Sequence, residues 1–457
     1  MKSFTLLMIG AALATAQAAD LRLGAAAVKI TPPLGMPMAG YYYNRGAEGV
    51  HDDLMAKALV LEKDGVKAAL VACDLASVSR PIVEEARKLI HEQTGIPGER
   101  VMISATHAHT GPVLLGRASR DDMAAGMLDI ARKYVAGLPG LIADSVRQAH
   151  ARLEPVRVAA ATGREESLAF NRRFFMKDGS VGWNPGKLNP NIVRPAGHID
   201  PDVPVVYFET PDGRPLATYV NYAMHLDTVG GQEFSADYPY TLATLLARVK
   251  TPQMLTLFTI GAAGNINHID VSTKKPQKGH EEAARIGTVL AGEVLKTYTR
   301  LSAIEPAVLK TRSEIVKLPL ADFNPADLTK ARQLAALYGR PNAAPFMDLV
   351  WAFKVIDISA REGKPIEAEV QVIALGDQLA WVALPGEIFV ELGQAIKQAS
   401  PFAHTIVASL ANGSIGYVPN RKAYPEGAYE VVSARCAAGS GEMLVEAATR
   451  LLKELHK

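Results

Sequence analysis

Five places in the 457-residue sequence gather side chains able to do acid–base or metal chemistry. The first is Thr106-His107-Ala108-His109-Thr110-Gly111-Pro112. In an extended segment residues two apart share a face, so His107 and His109 are expected to converge. Two imidazoles on one face suit a zinc ion, or one ligand beside a hydrogen-bonding partner; the plainer reading is two polar residues at a loop mouth. The second is His225 in Asn221-Tyr222-Ala223-Met224-His225, read alone as either a satisfied buried histidine or a ligand. The third is Gly261-Ala262-Ala263-Gly264-Asn265-Ile266-Asn267-His268. Its small residues let backbone approach a ligand or present N–H groups to an anion, and a tight strand-to-loop turn would use the same residues. The fourth, Pro385-Gly386-Glu387, offers a metal ligand, a general base or merely a helix-start charge. The fifth pairs Gly416-Tyr417-Val418 with Tyr429, twelve residues on.

Chemistry of this kind needs rigid elements behind it, and the first four places each follow an expected strand. Lys57–Glu62 and Val66–Cys73 read as a hairpin about Asp64-Gly65. Pro81 opens a helix that Gly95 closes, and Val101–Ser104 is the strand that delivers His107. Residues from about Met123 to Ala149 have helical spacing, with an interruption expected at Gly137-Leu138-Pro139-Gly140. A second hairpin, Val205–Glu209 with Leu216–Asn221, precedes His225, and the apolar run Met254–Ile260 precedes Gly261. Helices are expected near Glu281–Thr297 and Ala326–Tyr338. Val370–Leu375 and Gln378–Leu384 form a third hairpin, which leads into Glu387. A helix at Ile388–Gln398, a strand at Thr405–Leu410 and a terminal helix at Glu442–Leu455 complete the chain. Hairpins mixed with strand–helix alternation predict an α/β (mixed) fold, in which mixed sheets are flanked by helices.

Composition narrows the function. The chain is 48% hydrophobic and 21% charged, long enough to bury a core without metal staples, so a metal here is expected to be functional. A net charge of +2 without a basic block excludes a partner held through nucleic-acid phosphates. No glycine-rich phosphate loop opens a helix, which excludes common nucleotide chemistry. Cys73 and Cys436 are expected as two buried free thiols. Lys2, the apolar run Phe4–Leu13 and the small residues at Ala16-Gln17-Ala18 read as a secretory signal peptide over residues 1–19. The run is too short to span a bilayer, which takes about 20 residues. An exported protein, periplasmic or secreted, is therefore expected, with residues 20–457 as one hydrolase domain.

Taken in order, these motifs resemble the N-terminal catalytic domain of the neutral (non-lysosomal) ceramidases. The resemblance runs from Ile30-Thr31-Pro32-Pro33 and Gly40-Tyr41 through Gly49-Val50-His51 and Cys73-Asp74-Leu75 to Ser104–Pro112. It continues through Asn171-Arg172, His225, Pro385-Gly386-Glu387 and Gly416-Tyr417-Val418 to Tyr429-Glu430. It implies one Zn²⁺ ion held by His107, His225, Glu387 and Tyr417, with His109, Arg172 and Tyr429 lining the reacting amide. The implied reaction is hydrolysis of an N-acyl lipid to fatty acid and amine by hydroxide formed at the zinc. Another small amide, ester or lactone is the alternative substrate, and a non-catalytic zinc- and ligand-binding protein is the alternative class. The implied partners are a small-molecule or lipid substrate and, at most, transient contact with a membrane surface. Two departures stand out. The family motif Asn-Ala-Gly-Asp-Val-Ser-Pro aligns with Ala262–His268, which puts Asn267 where the family has a catalytic serine. Asn267 has no nucleophilic hydroxyl and is expected to position or hydrogen-bond through its amide. The chain also ends at Lys457, before the family's C-terminal immunoglobulin-like domain.

Overall fold

The computed structural model describes residues 20–456 apart from Arg117 and Pro341. The segment read as a signal peptide lies outside the described residues. Three sheets make the frame. The first contains β1 (Arg22–Lys29), β2 (Met55–Lys63), β3 (Val66–Cys73) and β4 (Val101–Ala105), in the order β4-β3-β2-β1. The β2–β3 hairpin turns at Asp64 and Gly65, both with positive φ, the geometry that matches strand twist in a two-residue turn. The second sheet contains β5 (Arg157–Arg164), β6 (Asp202–Glu209), β7 (Pro215–Tyr222) and β8 (Leu255–Ile260), in the order β8-β7-β6-β5. The third runs in sequence order through β9 (Leu309–Leu318), β10 (Ile366–Leu375), β11 (Leu379–Ala383) and β12 (His404–Ala408).

Side-chain alternation splits each sheet between two cores. On β2, Leu59 and Leu61 join Phe208, Tyr219, Leu257, Ile373 and Trp381 in a core where the three sheets meet. Ala58 and Val60 face the other way, toward a core that includes Ile82, Val83 and Ile90 of α1 (Arg80–Thr94) and Ile142 and Val146 of α2 (Asp129–His150). On the third sheet, Val370, Val372 and Val382 share a core with Leu444 and Leu451 of the terminal helix Ser440–Leu455. Strands buried on both faces are why β3, β8 and β11 read as apolar runs.

The sheets are mixed, as the hairpins predict. Each contains one parallel pair: β3 with β4, β7 with β8, and β11 with β12. The expected break at Gly137–Gly140 is absent: α2 continues through it with Pro139 inside. Burial of Leu138, Pro139, Ile142 and Val146 outweighs the hydrogen bond that the proline removes. The interruption falls instead at Gly126–Leu128, after a short helix Ser119–Ala125. The helix expected over Ala326–Tyr338 is shorter, at Leu328–Ala335. Cys73 and Cys436 are free and buried. No helix among the described residues is long and apolar enough to cross a membrane.

Candidate active site

The parallel pairs place the chemistry. His107 follows β4, His225 follows β7, the Gly261–His268 loop follows β8, and Glu387 follows β11. All four leave the carboxyl end of a strand in a parallel pair, the edge at which α/β proteins form ligand crevices. Bonds between loops then join the three sheets. His109 N–H donates to Leu226 O, His225 N–H to Ile266 O, Gly264 N–H to Ile388 O, and Leu410 N–H to Gly386 O. Gly264 is needed at its position, since a Cβ there would lie 2.4 Å from Glu387 O. The Gly264 N–H donates to Ile388 O and is not open to an anion.

His107 and His109 converge, though not by strand alternation. His107 has φ +79°, a left-handed turn taken immediately beyond β4. Its Nε2 lies 3.2 Å from His109 Nε2. Nitrogens of His107, His109 and His225 all lie within 4.8 Å of one another. Glu387 Oε2 is 3.5 Å from His107 Nε2 and 3.3 Å from His225 Nε2, and this buried oxygen has no hydrogen-bond partner.

The tautomers follow from the surroundings. His107 Nδ1 is 2.7 Å from Ala76 O, and His225 Nδ1 is 2.8 Å from Ala263 O. Carbonyls only accept, so each Nδ1 carries a proton and each Nε2 faces the cluster. Backbone carbonyls holding Nδ1–H in this way are the usual outer support of metal-ligating histidines. Burial and the neighbouring Arg172 charge lower the His225 pKa, while burial and His107 hold His109 well below 6.5. Burial alone would raise the Glu387 carboxyl, yet His107 and His225 beside it hold it well below 4.5. Imidazole nitrogens and a carboxylate oxygen converging on one point, the oxygen without a hydrogen-bond partner, fit a divalent cation.

Tyr417 and Tyr429 sit together, their rings 5.3 Å apart. Burial and the Glu387 charge push the Tyr417 phenol well above 10. Arg172 Nη2 donates to Tyr417 Oη at 3.1 Å and to Gly264 O at 2.7 Å, while its Nη1 lies 3.3 Å from His225 Nε2. His107, His109, Glu387, Tyr417 and Tyr429 line a cavity of about 70 Å³. His225, Arg172 and Asn267 do not line it. Asn267 is fully buried: its Nδ2 donates to Asn184 Oδ1 at 3.1 Å and its Oδ1 accepts from Ile269 N–H at 3.1 Å.

Other site residues carried no sequence signal. Arg120, Trp183 and Arg435 fall outside the motifs, in segments of no recognisable pattern, and the fold brings them to the cavity or to Tyr429. Asp227 holds His268, Oδ1 to Nδ1 at 3.0 Å, while His268 Nε2 faces Gln277 O at 2.6 Å. With acceptors at both nitrogens, His268 is a buried imidazolium, its pKa raised against burial by Asp227.

A mixed α/β frame with a histidine–carboxylate cluster at its parallel strand ends defines the class of architecture. The fold is that of the neutral ceramidases. It superposes on the neutral ceramidase from Pseudomonas aeruginosa and on a ceramidase complexed with C2. Each comparison gives a TM-score of 0.73 at 19% identity, covering 95% of this chain and 75% of the other. The sequence matches no family model and none of the curated proteins.

Proposed function

We propose that this protein is an exported, zinc-dependent hydrolase of a carbonyl compound, an amide first, acting on N-acyl lipids or smaller amides. The observation that carries the reading is the inward-facing set of His107 Nε2, His225 Nε2 and the unpartnered Glu387 Oε2. Those three residues with Tyr417 would hold the metal, which when bound supplies Lewis acidity and lowers the pKa of water toward about 7.

The protein's own groups have distinct tasks. His109 is neutral near pH 7, so it is able to take a proton from the attacking water and return it to the departing nitrogen. Water adds to the carbonyl carbon, the C–N bond breaks, and the proton carried by His109 leaves with the amine. Tyr429, whose hydroxyl makes no hydrogen bond among the described residues, is the donor available to the developing oxyanion. Arg172 acts behind the cavity, fixing Tyr417 and His225. Elemental analysis with a panel of amides and activated esters tests the reading. One equivalent of zinc with turnover supports it; zinc without turnover on any of them would leave a binding protein.

A further inference from the structure

Beyond the cluster, the cavity is closed by two arginines. Arg120 and Arg435 both line it, with side chains only 15% and 18% exposed. Each is only partly engaged. Arg120 uses Nε and Nη2 on one oxygen, Asp121 Oδ1, at 3.3 and 3.1 Å. Arg435 uses Nε and Nη2 on Asp357 Oδ2, while Asp357 Oδ1 is taken by the N–H and hydroxyl of Ser119. Among the described residues, neither Nη1 has a hydrogen-bond acceptor. The two like charges also disfavour one another across the cavity.

The wall around them is aromatic. The Arg120 guanidinium lies 4.4 Å from the centre of the Tyr42 ring. From Tyr42 the rings continue through Phe346 at 5.2 Å and Trp183 at 5.5 Å to Tyr429, 4.6 Å from Trp183. Of these rings Tyr42 and Tyr429 line the cavity itself, and a ring packed on one face of the Arg120 guanidinium keeps water from that face. On its other side Arg435, with Gly416, also borders an open groove of about 870 Å³ whose basic residues Arg80, Lys317, Arg361 and Lys364 outnumber its carboxylates Asp122, Asp357 and Glu367.

Building on the hydrolase reading above, we infer that the substrate carries a carboxylate close to its scissile bond, and that Arg120 and Arg435 bind it through their unused Nη1 groups. An N-acyl amino acid has this form, with an acyl group, an amide and a carboxylate one carbon from the nitrogen. Charge-assisted bonds to a fixed guanidinium are about twice as strong as neutral ones, so the preference over an uncharged analogue is expected to be at least about tenfold.

The test uses zinc-loaded protein and matched pairs of compounds. N-hexanoylglycine is compared with N-hexanoylethanolamine, which places the charge on the amine half. Succinic acid monoamide is compared with butanamide, which places it on the acyl half, two carbons from the amide carbonyl. Turnover gives kcat/KM for each, and calorimetry gives affinity independently of turnover. A tenfold or greater preference for the charged member of either pair supports the site, as does collapse of that ratio in Arg120→Gln and Arg435→Gln with zinc content retained. Hydrolysis with equal kcat/KM for charged and neutral members would overturn the carboxylate site and leave the hydrolase standing. Selective binding of the carboxylates without turnover would support the site and remove the hydrolase. Neither turnover nor selective binding would overturn the inference.

Discussion

Arg172 Nε donates to Glu430 Oε1 at 2.8 Å, and both side chains are buried. Glu430 Oε2 accepts from Arg173 at 3.1 Å, so one carboxylate neutralises two adjacent buried arginines. Glu430 directly follows Tyr429, and Arg172 touches Tyr417 and His225. Glu430 thereby ties the tyrosine pair to the histidine cluster.

Replacing that carboxylate by an amide leaves the buried Arg172 without a carboxylate and Arg173 with Glu426 alone, Nη2 to Oε2 at 3.1 Å. Removing one partner of a buried ion pair typically costs about 3–5 kcal/mol. Glu430→Gln is expected to lower the thermal midpoint of the metal-free protein by several degrees. A midpoint within one degree of wild type would show that Glu430 is not the charge balance for these arginines.

A second consequence concerns metal content. Glu387→Gln keeps the shape of the side chain but removes the charge between His107 and His225. Zinc affinity, measured by competition with a chelator, is expected to fall by about 10–100-fold, as for changes to the supporting groups of other metal sites. His107→Ala and His225→Ala are expected to purify without zinc yet remain folded. Full zinc retention in all three would move the site elsewhere.

Much of this arrangement is legible in the sequence, and the rest is hidden for physical reasons. The strands β4, β7 and β11 are legible as strands, and His107, His225 and Glu387 stand out because each lies within a few residues of the end of one of them. Strand β1 escapes notice because half of Arg22–Lys29 is alanine and glycine, poor strand formers held here by pairing with β2 along the whole strand. The helix Phe346–Ser359 (α3) lacks a polar stripe, so its periodicity is faint, although it supplies both Phe346 and Asp357 to the cavity's surroundings. Arg120 and Arg435 are 315 positions apart in the chain and acquire meaning only when the fold brings them to one wall.

The His268–Asp227 pair predicts a pH dependence. Asp227 raises the pKa of His268 in the fold, so the proton stabilises the native state. That contribution is complete below 6.5, the value for the free side chain, and is lost as pH rises through the raised value. Asp227, which His268 holds well below 3.8, loses its share only as pH falls through that depressed value. His268→Gln is therefore expected to destabilise the protein more at pH 6 than at pH 9. An equal loss of thermal midpoint at both would show that His268 is held as a neutral imidazole.

The final prediction turns on Asn267, which stands where the resembling family has serine. Its amide bridges Ile269 N–H and Asn184 Oδ1, and Asn184 follows Trp183, whose ring stacks near Tyr429. Asn267 is thus a positioning residue that acts through the loop carrying Trp183. The cavity is also lined by Ser77 and Ser433, but neither hydroxyl bonds to a carboxylate or imidazole among the described residues. A serine nucleophile needs an activating base within about 2.6–3.2 Å. Direct attack by water is the route these contacts favour. Asn267→Ala leaves the part-buried Ile269 N–H and Asn184 amide oxygen without these partners, at a cost of about 1 kcal/mol. It is expected to reduce kcat several-fold through displacement of Trp183 and Tyr429, without abolishing turnover. The displacement is checked by a change in the fluorescence of Trp183, with Trp183→Phe as the control that removes the signal. Product release in the wild-type protein is expected to be single-phase. A pre-steady-state burst, with an acyl adduct on Ser77 or Ser433 seen by mass spectrometry, would replace water attack with a covalent route.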